Sequence, residues 1–158
     1  MRKVVCPGSF DPITFGHLDI IERASKHFDE VVIAVLVNKT KQTLFTVEER
    51  IEMIKEVTGK YKNVSVDSWS GLLVDYCSKN EISAIVKGLR AVTDFDYEIQ
   101  MSQINLQLKG IETMFISTAP EHSFVSSSLV KEVSSYGGDV SKYVPAEILN
   151  RLNKRLAR

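Results

Sequence analysis

The chain is short of cysteine: Cys6 and Cys77 are the two in 158 residues, each inside an apolar segment. Two such thiols make no disulfide framework and read as buried and reduced. Long hydrophobic runs are missing as well. The longest strictly apolar stretch, Val31 to Val37, is too short to cross a bilayer. Net charge is absent, with twenty Lys and Arg against twenty Asp and Glu. A general nucleic-acid binder would carry a basic excess. No secretory core fits the N-terminus, where Arg2 and Lys3 precede a short strand-like run that meets Pro7. These absences set the expectation of a cytoplasmic chain with neither nucleic acid nor membrane as partner. With no internal repeat, low-complexity stretch or long linker, residues 1–158 read as one domain, able to bury roughly two-thirds of its unfolded surface.

What is present is alternation. Strand-like runs at Arg2–Cys6, Glu30–Val37, Asn63–Trp69, Ser83–Lys87 and Glu112–Ser117 are separated by helical patterns. The helices are predicted over Gly16–Phe28, from Thr46 through Val57, over Gly71–Lys79, from a Thr93 cap with Asp96 to Leu108, over Ser126–Tyr136, and from Pro145 to the basic C-terminus. Thr46-Val47-Glu48-Glu49 has the form of a capping box, and Gly137-Gly138 of a helix stop. The order predicts an α/β fold: a five-stranded parallel sheet covered on both faces, with C-terminal helices. Ligands of such sheets bind beyond the carboxyl ends of the strands.

The unusual residues follow strands. After the first comes Pro7-Gly8-Ser9-Phe10-Asp11-Pro12-Ile13-Thr14-Phe15-Gly16-His17, with glycines that let a ligand approach the backbone and a histidine on the first helical turn. A helix N-terminus favours an anion, usually a phosphate. A tight turn with a solvent-exposed histidine is the plainer alternative. The glycines are eight apart, so this is not the dinucleotide fingerprint. After the second strand, Asn38 to Thr43 carries Lys39 and Lys41, which read alone as a solvated loop. After the fourth, Lys87-Gly88-Leu89-Arg90 sets two cations around a glycine, which fits phosphate binding better than the plainer alternative of a solvated loop. Asp94, Asp96 and Glu98 on the next helix could bind metal, pair with Arg90 or complement the helix dipole. After the fifth, His122 to Val125 lead into Ser126-Ser127-Ser128, three hydroxyls where one would cap a helix. A serine nucleophile lacks the G-x-S-x-G elbow, and nothing places His122 as its base. His17 and His27 face different ways, and no His/Cys spacing suits zinc. Four polar segments at one sheet edge imply a cleft for a polyphosphate.

Three strings carry a resemblance. Thr14-Phe15-Gly16-His17 resembles the T/H-x-G-H motif of the nucleotidylyltransferase superfamily, and Ser126-Ser127-Ser128 with Lys131 its I-S-S-S-x-x-K/R motif. The longer strings P-G-S-F-D-P-I-T-F-G-H, K-G-L-R-A-V-T-D-F-D-Y-E and S-F-V-S-S-S-L-V-K-E are similar to the bacterial phosphopantetheine adenylyltransferase family over nearly the whole chain. The resemblance implies a Rossmann-like, doubly wound sheet. It implies transfer of the adenylyl group of ATP to 4′-phosphopantetheine, giving dephospho-coenzyme A and pyrophosphate with Mg²⁺, in a homohexamer. By the same resemblance Ser9 and Phe10 contact ATP, and Ser9 also the acceptor. His17 stabilises the transition state and contacts ATP. Lys41, Leu73 and Lys87 hold the acceptor. Gly88, Leu89, Arg90 and Glu98 contact ATP, as do His122, Ser123, Phe124, Val125, Ser126, Ser127 and Ser128. Thr14 replaces the first His of the wider superfamily, Lys87 a common Arg and His122 a common Trp. A different nucleotidylyltransferase, using CTP or a nicotinamide nucleotide acceptor, and a non-catalytic nucleotide-binding regulator are the alternatives.

Overall fold

The computed structural model describes residues 2–38, 40 and 42–157. Five strands, β1 (Lys3–Gly8), β2 (Glu30–Leu36), β3 (Val64–Trp69), β4 (Ala84–Leu89) and β5 (Glu112–Ser117), form one parallel sheet in the order β3-β2-β1-β4-β5. Six helices connect and follow them: α1 (Phe15–His27), α2 (Val47–Thr58), α3 (Leu73–Lys79), α4 (Val92–Lys109), α5 (Ser127–Ser135) and α6 (Ala146–Leu156), with a 3₁₀ turn at Pro120–His122.

Alternation along the buried strands sorts the helices. Val31, Ile33 and Val35 of β2 pack with Ile20, Ile21 and Ala24 of α1, Met53 and Ile54 of α2, Val130 of α5 and Ile148 and Leu152 of α6. Val32 and Ala34 face the other way, onto Tyr76 and Cys77 of α3. Both faces of β2 are therefore apolar, as a strand central to a doubly wound sheet requires. Cys6 and Cys77 are free and buried, as expected.

The chain walks outward from β1 to β3, then crosses to β4, so the direction of winding reverses between β1 and β4. These two strands pair at Val4 with Ala84 and at Val5 with Ile85. Further on they part: Pro7 and Gly8 continue against β2, while Lys87 to Leu89 continue against β5. Proline has no N–H to donate across such a gap. The crevice opened there is the switch point at which ligands of open α/β sheets bind.

Several boundaries differ from the sequence expectation for local reasons. Pro7 and Gly8 belong to β1 rather than to the turn after it. Gly88 and Leu89 stay in β4 because Ile116 and Ser117 pair with them. Gly71 has φ +127°, outside helical space, so α3 starts at Leu73. The N-cap of α4 is Ala91 with no side-chain bond, not Thr93, which lies inside the first turn. The Thr46–Glu49 capping box forms in full.

Candidate active site

A cavity of about 410 Å³ lies over the parted ends of β1 and β4. Cys6, Pro7 and Gly8 form one side of its floor, Val86, Lys87 and Gly88 the other.

His17 is set by the cap of α1. Thr14 is the N-cap, and its peptide N–H donates to His17 Nδ1 at 3.0 Å, while its hydroxyl lies 3.1 Å from the same nitrogen. The histidine takes the place that Glu usually holds in a capping box. An Nδ1 that accepts a peptide N–H leaves the proton of a neutral ring on Nε2. Burial, then the nearby Arg90 and Lys87 charges, lower the imidazole to about 4. His17 therefore stands neutral at pH 7, a hydrogen-bond donor rather than a charge.

Around it, Phe10 turns its ring edge-on to the imidazole, centroids 5.0 Å apart. Phe10 has φ +49° and is buried. A Cβ on Gly8 would lie 3.0 Å from that ring, so Gly8 makes room for Phe10 rather than for a ligand. A Cβ on Gly88 would meet Ile20 Cγ1 at 2.9 Å, so this glycine admits α1 to the sheet. The Ser9 carbonyl accepts from Arg50 Nη1 at 2.7 Å, which fixes the turn from below.

Three cations of the wall each meet one carboxylate: Lys87 with Glu98 at 3.1 Å, Arg90 with Asp94 at 3.1 Å and Lys131 with Asp11 at 2.7 Å. Arg90 also donates to the Val125 carbonyl at 2.9 Å, joining the start of α4 to the segment before α5. Ser126 is the N-cap of α5 and accepts from the Leu129 N–H at 3.1 Å. Ser127 donates to the Pro12 carbonyl at 2.7 Å, binding α5 to the first turn. Ser128 lines the cavity beside them. The Cys6 thiol, pushed up to about 12 by burial against a smaller opposing effect of Lys87, is no nucleophile at neutral pH.

The cavity thus brings together Ser9, Phe10, His17, Lys87, Gly88, Arg90, Glu98, Val125, Ser126, Ser127 and Ser128. Other expected residues stand outside its wall. Leu89 accepts the Thr118 N–H at 2.9 Å. His122 stacks on Phe15 at 6.3 Å, and Ser123 donates to the Pro120 carbonyl at 2.9 Å. Phe124 packs edge-on to Tyr143 at 5.6 Å. Leu73 packs with the core cluster of Val5, Val32 and Tyr76. Lys41 lies outside the described residues. Among the polar residues of the wall, the sequence reading gave no role to Asp11 or Thr118. Asp11 gave no signal, since nothing local marks a buried carboxylate. Thr118 follows β5, and its place after a strand was the available clue.

Among the described residues no group of three His, Cys, Asp or Glu is arranged to hold a metal ion. The carboxylates of the cavity are each engaged by a cation, so the donor set suits an ion that arrives on its phosphates and not one caged by protein.

A parallel sheet with a helix-capped cavity at its switch point, walled by three carboxylate-paired cations, defines a nucleotide-binding α/β protein. A family model for cytidylyltransferase-like proteins matches residues 5–133. Phosphopantetheine adenylyltransferase of Streptomyces coelicolor is 62% identical over 99% of this chain and 98% of its own. That of Frankia casuarinae is 60% identical over 100% of both. A provisionally assigned nicotinate-nucleotide adenylyltransferase of Vibrio parahaemolyticus shares the fold, with TM-score 0.67 at 17% identity over 99% of this chain and 95% of that one. The chain belongs to the cytidylyltransferase-like family and, within it, to the phosphopantetheine adenylyltransferases.

Proposed function

We propose that this chain transfers the adenylyl group of ATP to 4′-phosphopantetheine, giving dephospho-coenzyme A and pyrophosphate. The observation that carries this reading is 62% identity to a phosphopantetheine adenylyltransferase across 99% of the chain, with the motif residues gathered at one cavity. CTP and nicotinamide nucleotide acceptors, and a regulator without activity, fit that relationship less well.

The step is a direct in-line displacement. An oxygen of the acceptor phosphate forms a bond to the α-phosphorus of ATP as the bond to the β-phosphate bridge breaks, and pyrophosphate leaves. The attacking oxygen is already an anion, so no general base is required and no covalent enzyme intermediate forms. The protein's part is positioning and stabilisation of charge. His17, neutral and protonated at Nε2, donates to the α-phosphate as it becomes pentacoordinate. Arg90, Lys131 and the Ser126–Ser128 start of α5 receive the departing pyrophosphate. Ser9, Phe10, Gly88, Leu89, Glu98 and the His122–Val125 run serve ATP; Ser9, Lys41, Leu73 and Lys87 serve the acceptor. Mg²⁺ entering with ATP would supply charge neutralisation on the triphosphate when bound.

The working assembly is a homohexamer in the cytoplasm; for the association of copies, the support is that Tyr97, Ile104 and Leu108 lie exposed along one side of α4. Among the described residues no helix is long and apolar enough to cross a membrane. The deciding assay is pyrophosphate release by the purified chain with ATP or CTP against a panel of acceptors. Release is expected with ATP and 4′-phosphopantetheine together. Release with another pair would redirect the assignment, and none with any pair would leave the regulator.

A further inference from the structure

We infer that Asp11 is a positioning residue that presents the Lys131 ammonium to the triphosphate and ties it to the chain entering α2. The reaction it serves is the one proposed above. Asp11 is buried, and both its oxygens are engaged. Oδ2 accepts from the Leu44 N–H at 2.9 Å and from Lys131 Nζ at 2.7 Å, and Oδ1 accepts from the Phe45 N–H at 2.9 Å. A carboxylate filled by protein donors is available neither as a base nor as a metal ligand, so it acts through its partners. Burial would raise this carboxyl, but the Lys131 bond, the two backbone bonds and the Lys131 charge hold it below the usual range. It is therefore ionised at neutral pH.

The partners come from elements far apart in sequence. Lys131 lies within α5 and lines the cavity. Leu44 and Phe45 precede α2 and are gripped from outside by Arg155, whose Nη1 donates to the Leu44 carbonyl at 2.7 Å and whose guanidinium lies 4.9 Å from the Phe45 ring centre. One buried carboxylate therefore fixes a flexible ammonium against a braced stretch of backbone. A free lysine loses substantial rotamer freedom when it binds a phosphate, and Asp11 removes that loss beforehand.

The test is titration calorimetry of ATP and of pyrophosphate on Asp11→Asn, Lys131→Met, Lys131→Arg and the Asp11→Asn/Lys131→Met pair, with pyrophosphate release measured alongside. Asp11→Asn and Lys131→Met should each weaken both ligands about three- to tenfold. The pair should be no weaker than Lys131→Met alone, because one acts through the other. Lys131→Arg, which keeps a cation on Asp11, should recover most of the affinity. Multiplying effects in the pair would mean that Asp11 merely holds the backbone, and would overturn the inference. Lys131→Met decides the matter even where Asp11→Asn fails to fold: unchanged affinity refutes it. Weakened binding by the variants, together with a wild type that releases no pyrophosphate, would keep Asp11 in this role and remove the adenylyl-transfer reading instead.

Discussion

At His17 the two ring nitrogens have separate partners. Nδ1 accepts the Thr14 peptide N–H, so the helix cap itself fixes the tautomer and leaves Nε2–H for a ligand. His17→Ala should lower turnover about a hundred- to a thousandfold, the usual loss for one transition-state donor. Its stability cost should be about 1 kcal/mol, that of an impaired cap. Circular dichroism and single-turnover kinetics on the purified variant check both, and near-normal turnover would remove His17 from the chemistry. The pH dependence follows from the same ring. Folded, it titrates near 4 against 6.5 unfolded, so between these values the unfolded chain holds the extra proton. Stability from this group must rise with pH through that window, stay flat above it, and be lost as pH falls toward 4. Proton NMR of the free protein should show the His17 ring titrating near pH 4, and a midpoint near 6.5 would refute the lowering by burial and by the Arg90 and Lys87 charges.

At the scale of elements, some turns follow from neighbouring residues and others only from packing. The Thr46–Glu49 box was legible because both its bonds close within one turn. So was the end of α5, where Gly137 N–H donates to the Ser134 carbonyl and Gly138 N–H to the Val133 carbonyl, with Gly137 at φ +80°. That polar segments follow strands was also legible, since βαβ connectivity sends every βα turn to one edge. The purposes of Gly8 and Gly88 were not, because their neighbours Phe10 and Ile20 are defined by how α1 lies on the sheet. Gly88→Ala tests this: the added Cβ meets Ile20 Cγ1 at 2.9 Å and Cδ1 at 3.2 Å, both within the core. Overpacking of this kind costs roughly 1–3 kcal/mol. Ile20→Ala alone should cost roughly 2–5 kcal/mol through its cavity. If the contact is the cause, the double variant is less destabilised than the sum of the two in urea melts. Strict additivity would locate the glycine's importance in ligand approach.

For the whole molecule, α4 is the element least supported by its own chain. None of its described side chains is buried, and Tyr97 and Leu108 are 64% and 53% exposed. It leans on α3, through the Lys109–Asp75 pair at 3.7 Å, and on β5, an edge strand that exposes Met114. The exposed Tyr97, Ile104 and Leu108 along one side of α4 suit the proposed contact between copies of the chain. Yet the same helix supplies Asp94 to Arg90 and Glu98 to Lys87, so the cavity's cations depend on where α4 rests. Association of copies over this face would therefore hold the site in shape as well as cover apolar surface. Tyr97→Glu with Leu108→Glu should convert the proposed assembly to single chains in analytical ultracentrifugation, since a central tyrosine anchor contributes about 2 kcal/mol or more and a carboxylate at Leu108 would be buried unpaired. The dissociated chain should keep its far-ultraviolet spectrum, because the sheet and the α1, α2 and α6 core are untouched. Its kcat/KM for ATP should fall, with the KM term carrying most of the loss as Lys87 and Arg90 lose their fixed partners. A dissociated variant with wild-type kcat/KM would show that α4 holds its place unaided, and a wild type that sediments as single chains would remove the assembly.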